Sequence, residues 1–289
     1  MWLNESFIET DLKINKAMIR AKREITERVT QNMRSKSTIN AAGQTSIDAD
    51  LISEKIFLNT LINEKLHGVL YSEESGVLEF GHPSENKENS IVLMLDPLDG
   101  SQNYVKGLPI GCMSVGYGSY KDNATLGDLS SAMVMNLYKD EVLFGKLGDG
   151  SYYNGNRIQK TEISLTNKIN PLIISYYFYT KRINQNNGFT RHYSTRSLGS
   201  SAWELALVAL GKSDAYIDIR GVLKAHDFCA VKLILEELGG KFTFVVPPKY
   251  KQAEKIPLND FKTGYSIVAS SDPQLTDHLA KEIQENVLR

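Results

Sequence analysis

The chain has 289 residues, 42% of them apolar, enough to bury a full core in one large domain or two smaller ones. Its 33 basic and 34 acidic residues leave a net charge of −1, so no global field draws it to nucleic acid or an anionic membrane, and an anionic ligand must be held by a local site. Two cysteines, Cys112 and Cys229, without C-x-x-C spacing, and five histidines without metal-ligand spacing argue against a disulfide framework and a zinc hydrolase; buried, inert thiols are expected.

The segment MWLNESFIETD carries acidic residues where a secretory leader has basic ones, and no apolar run approaches the roughly 20 residues of a membrane span. A cytoplasmic, globular protein is expected. From Ile14, the residues Met18, Ala21, Ile25, Val29 and Met33 recur every three or four positions and predict an amphipathic helix. A second helix follows Asp48, with Leu51, Leu58, Leu61, Ile62 and Leu66 on its apolar face and a stop at His67-Gly68. GVLYSEE, SIVLML and CMSVGYG read as short strands. The alternation from Ser131 to Ile158, cut by turn signals at Lys139-Asp140, Gly148-Asp149-Gly150 and Asn154-Gly155, reads as an antiparallel meander.

Beyond Asn167 strands and helices alternate: PLIISYY, SSAWELALVALG, DAYIDI, DFCAVKLILEELGG with Gly239 as its C-terminal cap, KFTFV, YSIVAS and DPQLTDHLAKEIQENVL. The expected organisation is an α+β half over 1–166 and an α/β half over 167–289, tightly packed, with a ligand site between them.

Acidic residues gather at the ends of these elements. IVLMLDPLDGSQNYVKG, residues 91–107, ends a buried strand on Asp96, and Pro97 is expected to turn the chain and end the ladder. Asp96 and Asp99 are then close enough to share a cation, although Asp-Pro-x-Asp-Gly by itself is equally a plain turn. Glu73 and Glu74 follow a strand, Asp227 opens a helix and Asp50 lies in a helix start; each alone is a solvated turn, an N-cap or a dipole partner. Together they suggest a hard-cation site, because Mg²⁺ takes oxygen ligands from a few carboxylates and leaves positions for water and phosphate. A short helix from Ser101 aims its free N–H groups at the same spot.

Asp96-Pro-Leu-Asp-Gly-Ser-Gln-Asn-Tyr resembles the D-P-[ILV]-D-G-[ST]-x-N-[FY] signature of the inositol monophosphatases, lithium-sensitive Mg²⁺-dependent phosphomonoesterases. SEES resembles their Glu-Glu element, GSSAWELALVALGKSDAYID their G-[ST]-A-A segment, and HDFCAVKLILEELGGK their second signature, in family order from about residue 40 to the C-terminus. The resemblance implies a layered αβαβα sandwich holding two or three Mg²⁺ ions. Glu73, Asp96 and the Leu98 carbonyl would hold the first ion. Asp96, Asp99 and Asp227 would hold the second, and Glu74 would touch an outer one through water. Asp50 and Ser101, with Glu73, would serve catalysis by orienting the attacking water. The N–H groups of Gly100 and Ser101 would hold phosphate, and Asp99, Gly199, Ser201 and Asp218 would meet the sugar hydroxyls.

Three departures bear on the substrate. His226 stands where the family usually has Trp, and a packed, hydrogen-bonded core histidine is expected there. Gln44 replaces an acidic residue of some relatives, which puts the third ion in question. IRGVLKAH between Asp218 and Asp227 resembles archaeal enzymes that accept both inositol monophosphate and fructose 1,6-bisphosphate. Tyr176, Tyr177, Lys181, Arg182, Arg220 and Lys224 are candidates for the substrate's far end, Arg220 and Tyr176 foremost, since an arginine fork suits a second phosphate. The expected substrate is therefore a small phosphate monoester, with no membrane or nucleic-acid partner and a homodimeric assembly. The competing expectations are a nucleotidase acting on 3′-phosphoadenosine 5′-phosphate or NADP, and an RNA- or transcription-complex-binding role on the same fold.

Overall fold

The computed structural model describes residues 8–30, 37–39, 45–82, 89–159, 172–178, 193–245 and 252–286. Met33, Gln44, Lys181 and Arg182 lie outside them, as does the expected boundary between the halves.

Helix α1 (Glu9–Thr30) precedes a small hairpin, β1 (Ser37–Ile39) with β2 (Thr45–Ile47), and helix α2 (Asp48–Asn63). An eight-stranded sheet follows: β3 (His67–Ser72), β4 (Gly76–Phe80), β5 (Ser90–Asp99), β6 (Cys112–Ser119), β7 (Ser131–Asn136), β8 (Val142–Lys146), β9 (Gly150–Tyr153) and β10 (Asn156–Arg157), in the order β10-β9-β8-β7-β6-β5-β3-β4. The six-residue helix α3 (Ser101–Lys106) sits between β5 and β6. The second sheet contains β11 (Ile173–Tyr177), β12 (Ser194–Arg196), β13 (Ala215–Leu223), β14 (Lys241–Phe244) and β15 (Tyr265–Ser270), in the order β12-β11-β13-β15-β14. Its helices are α4 (Ser201–Ala209), α5 (Ala225–Glu237) and α6 (Pro273–Asn286).

Three clusters of buried side chains define the layers. Ile14, Met18 and Phe57 of α1 and α2 pack on one face of the first sheet with Leu93, Leu95 and Met113. The other face, through Val92, Met94 and Val134, meets Ala206 of α4 and Phe228 and Val231 of α5, which also cover Tyr216 and Ile267 of the second sheet. Leu275, Leu279 and Ile283 of α6 close the far side against Ile174, Tyr176 and Val268. The result is the expected αβαβα sandwich. Residues 91–95 of strand β5 are apolar without interruption because both faces of the strand are covered by helices.

Several local expectations need correction. The second helix ends at Asn63, and Lys65, at φ 58°, makes the left-handed turn; His67-Gly68 instead begins β3, where a Cβ on Gly68 would lie 2.2 Å from the Ile91 carbonyl oxygen. Leu51 and Ile62 are exposed, at 38% and 43%, whereas Asp50, Ser53, Glu54 and Thr60 are buried beside Ala49, Phe57 and Leu61, so the inward face of α2 is part polar and part apolar. Pro97 does not end the ladder: β5 runs on to Asp99 across a one-residue bulge, with Asp96 opposite Ser114 and Asp99 opposite Cys112. A bulge is where a strand tolerates a residue without an N–H. The second sheet is mixed rather than purely alternating, since β11 is parallel to β12 and β13 while β15 is antiparallel to β13 and β14.

Candidate active site

Strands β3 and β5 are parallel and in register, Ser72 opposite Leu95, so both deliver their next residue to one sheet edge. The Glu73 N–H donates to the Leu95 carbonyl at 3.3 Å, which sets Glu73 beside Asp96. Val92 and Met94 face α5, and side-chain alternation carries Asp96 to that same side. Asp227 comes from the first turn of α5. One cavity of ≈ 340 Å³ gathers them: Glu73, Asp96, Asp99 and Asp227 line it, with Leu98 between the strand carboxylates, Gly100, Ser101 and Gln102 at the start of α3, and Gly199 on the opposite wall.

Among the described residues no Lys, Arg or His lines this cavity, so its carboxylates repel one another. Burial, then Glu73, Asp99 and Asp227, push the Asp96 carboxyl well above its ordinary value. Burial and Asp227 raise Asp99 to about 6, against the Ser200 hydroxyl and the Ala202 and Trp203 N–H groups that favour its charge. Asp227 is raised to about 7, chiefly by burial and then by Asp218, against the Lys224 N–H.

The cap reading and the site reading of these acids coexist, because each carboxylate has two oxygens. Asp50 Oδ2 accepts the Ile47 N–H at 2.8 Å, while Oδ1 accepts the Ser101 hydroxyl at 3.0 Å. Asp227, the third residue of α5 rather than its N-cap, accepts the Lys224 N–H at 2.7 Å through Oδ2. Asp99 caps a helix of the other half: Oδ2 accepts the Ser200 hydroxyl at 2.6 Å and the Ala202 N–H at 2.7 Å, and Oδ1 the Ser201 N–H at 3.2 Å. With oxygens committed in this way, no three His, Cys, Asp or Glu side chains among the described residues form a closed metal-ligand cluster.

Gly100, at φ 96°, is the left-handed residue before α3, and a Cβ there would lie 3.0 Å from the Ile110 carbonyl oxygen; only glycine turns the chain there without strain. Ser101 donates within reach of both Asp50 Oδ1, at 3.0 Å, and the Leu98 carbonyl, at 2.9 Å.

The opposite wall is held by internal pairs. Register sets Tyr177 against Asp218. Arg220 folds back on Asp218, its Nε 3.1 Å from both carboxylate oxygens and its Nη2 2.5 Å from Oδ2, and its guanidinium lies 4.4 Å from the centre of the Tyr177 ring. The Tyr177 hydroxyl donates to Glu204, and the Gly199 N–H reaches Tyr177 Oη at 2.6 Å and Glu204 at 3.2 Å.

Five expected substrate or metal contacts are placed differently. Tyr176, 3% exposed, points to the α6 side of the second sheet and stacks on Phe178, because alternation along β11 gives the inner face to Tyr177. Asp218 is fully buried and occupied by Arg220. Ser201 meets Asp99 through its N–H, and Glu74 is buried off the cavity. Lys224 Nζ is spent on the Lys262 carbonyl at 2.7 Å. His226 is buried, but neither ring nitrogen has a hydrogen-bond partner among the described residues; Nε2 lies 3.5 Å from Asp227 Oδ1, and burial lowers its pKa to about 3, so the ring is neutral. Cys112 and Cys229 are buried thiols, as expected. Ser200 and Glu204 were not expected; the signal for Glu204 is that it is the single charged residue of SAWELALVA.

Among the described residues no helix is long and apolar enough to cross a membrane. The model of the inositol monophosphatase family matches residues 9–288. A fructose-1,6-bisphosphatase/inositol-1-monophosphatase of Methanothermobacter thermautotrophicus is 29% identical over 239 residues, 81% of this chain and 82% of that protein. A bifunctional NADP phosphatase/NAD kinase of Methanococcus maripaludis is 27% identical over 81% of this chain and 42% of its own length. The crystal structure of an inositol monophosphatase–fructose 1,6-bisphosphatase superposes with a TM-score of 0.77 at 23% identity, covering 95% of this chain and 100% of that one.

Proposed function

The chain belongs to the inositol monophosphatase family, and on that premise we propose that it is a Mg²⁺-dependent phosphatase of small polyol and sugar phosphates, inositol 1-phosphate foremost and fructose 1,6-bisphosphate with it. That it is a phosphoric monoester hydrolase follows from the family; the metal and the substrates are the proposal. The observation that carries it is the cavity where Glu73, Asp96, Asp99 and Asp227 converge on the Leu98 segment and the start of α3, with no basic side chain from the described residues among them. An all-oxygen donor set whose acids are raised by burial and mutual repulsion fits a hard divalent cation. Glu73, Asp96 and the Leu98 carbonyl would hold one ion, and Asp96, Asp99 and Asp227 a second, for which Asp227 would offer Oδ1 and Asp99 would share an oxygen now used as a helix cap.

When bound, Mg²⁺ neutralises the phosphate and makes a water nucleophile available near neutral pH. The chain's own part is positional. Were the Leu98 carbonyl to face a cation, the Ser101 hydroxyl would donate to Asp50 alone, leaving Ser101 Oγ to accept a hydrogen bond from the attacking water and aim it. The N–H groups of Gly100 and Ser101, at the left-handed entry to α3, hold phosphate oxygens. Gly199 walls the polyol side, and Arg220, anchored by Asp218 and Tyr177, offers its remaining guanidinium hydrogens to a second phosphate.

The Methanococcus relative favours a second reading, NADP phosphatase. Phosphate release with Mg²⁺ on inositol 1-phosphate, fructose 1,6-bisphosphate, 3′-phosphoadenosine 5′-phosphate and NADP in parallel separates the two. Turnover of the nucleotides alone replaces the first reading with the second, and no turnover on any of the four removes both. Light scattering tests the homodimer that the family resemblance implies.

A further inference from the structure

The inward face of α2 is apolar at Phe57 and Leu61 but polar in its first two turns. Asp50, Ser53 and Glu54, spaced i, i+3 and i+4, lie on one helical stripe and are 2%, 0% and 4% exposed. Each grips a different chain turn of the site. Asp50 accepts the Ser101 hydroxyl at the start of α3, Ser53 donates to the Pro97 carbonyl at 2.8 Å inside the β5 bulge, and Glu54 Oε1 accepts the Ser75 hydroxyl in the turn between β3 and β4.

That turn is Glu73-Glu74-Ser75, closed between the paired residues Ser72 and Gly76. Within it the Glu74 N–H donates to Ser72 Oγ at 3.3 Å, and the Glu73 N–H donates to the Leu95 carbonyl at 3.3 Å. The Ser75 hydroxyl's bond to Glu54 ties this turn to α2. Glu54 is expensive for the fold: its Oε2 is buried with no hydrogen-bond partner among the described residues. A buried, half-satisfied carboxylate costs stability relative to an apolar side chain of similar size. Its position is explained by what it holds.

We infer that Glu54 is a positioning residue, which through Ser75 fixes the turn so that Glu73 faces the cavity, and that α2 is the template holding three separate chain turns in one arrangement. This rests on the metal-phosphatase reading above, and the test keeps the two apart. Mg²⁺ binding to the full chain is measured by calorimetry, with the Mg²⁺ dependence of phosphate release in parallel, for wild type, Ser75→Ala, Glu54→Ala and Glu54→Gln. Ser75→Ala and Glu54→Ala are expected to weaken Mg²⁺ binding by about tenfold, the usual effect of losing a ligand's supporting hydrogen bond. The Mg²⁺ needed for half-maximal rate rises in parallel, while kcat at saturating Mg²⁺ stays within about twofold, since ground-state placement is what is lost. Glu54→Gln keeps an acceptor for Ser75 and retains wild-type affinity.

Unchanged affinity in Ser75→Ala and Glu54→Ala overturns the inference. So does Glu54→Gln as weak as Glu54→Ala, or a lower melting temperature without Mg²⁺ accompanied by unaltered Mg²⁺ affinity. Should Glu54→Ala fail to fold, Ser75→Ala decides, because Ser75 is on the surface. A wild-type chain that binds no Mg²⁺ sinks the metal-phosphatase reading itself.

Discussion

The two walls of the cavity solve opposite electrostatic problems. On the first-sheet wall Glu73, Asp96 and Asp99 stand together, and Asp227 reaches in from α5, with no Lys, Arg or His among the described residues lining the space. On the second-sheet wall the described charges are matched nearby: Asp218 by Arg220, and Glu204 by the Tyr177 hydroxyl and the Gly199 N–H. Crowded buried acids favour a cation or protons, whereas ion-paired charge serves as rigid scaffold. Under the proposed function the difference is a division of labour, in which the first wall would hold a cation and the second would present a shaped, nearly neutral surface to the rest of the substrate.

The sharpest way to break this contrast is at its centre. Asp96→Asn removes the acid on which Glu73, Asp99 and Asp227 all act, and kcat/KM should fall by about a thousandfold, several kcal/mol of transition-state charge stabilisation. Near-normal turnover at saturating Mg²⁺ would end the two-wall picture. Ser101→Ala leaves the carboxylates in place and loses the group held by Asp50, so kcat should drop by about a hundredfold, at the low end for proton-handling groups, with Mg²⁺ affinity unchanged. Steady-state kinetics across a Mg²⁺ series separates the two effects.

Arg220→Ala probes the second wall. It should raise KM for a bisphosphate by about tenfold, one charged hydrogen-bonded contact, and leave a monophosphate within about twofold. Equal losses on both substrates would show that Arg220 only braces Asp218.

The smallest effect is on stability. Asp99 and Asp227 rise from an ordinary 3.8 to about 6 and about 7, so the folded chain binds their protons more tightly than the unfolded one. Their contribution to metal-free stability is fully present below about pH 4 and is lost as pH climbs through 6 and 7. With EDTA, the melting temperature should fall over that window relative to a Mg²⁺-loaded sample, so the stabilisation by Mg²⁺ grows with pH. A Mg²⁺ increment that is constant from pH 4 to 8 would contradict the uncompensated wall.

Much of the molecule was legible in the chain. The strand of residues 90–99 announces itself because five consecutive residues, 91–95, are apolar on both faces, and the glycines at 100 and 239 mark left-handed positions no other residue fills cheaply. The acids of the first wall sit in short contiguous motifs at element ends, where local rules apply. What the sequence hid was polar burial. Helix α2 looks like an ordinary amphipathic helix with Leu51 and Ile62 inward, yet its inward stripe is Asp50, Ser53 and Glu54. Hydrophobic periodicity finds the part of a helix that fills a core, here Phe57 and Leu61, and misses the turns that bind other chain segments.

The amino-acid sequence alone therefore determined the layers, the family and the carboxylate set, because those depend on apolar pattern and on residues a few positions apart. Only the tertiary structure decided which partner each carboxylate keeps. Asp99 caps a helix that begins about a hundred residues later, and Arg220 turns onto Asp218 rather than outward. Tyr177, not Tyr176, faces the cavity side, since a one-residue choice of strand face is set by what packs against the sheet. Such choices are made by long-range packing and by the cost of leaving buried polar atoms unmatched, and no local window of sequence carries that information.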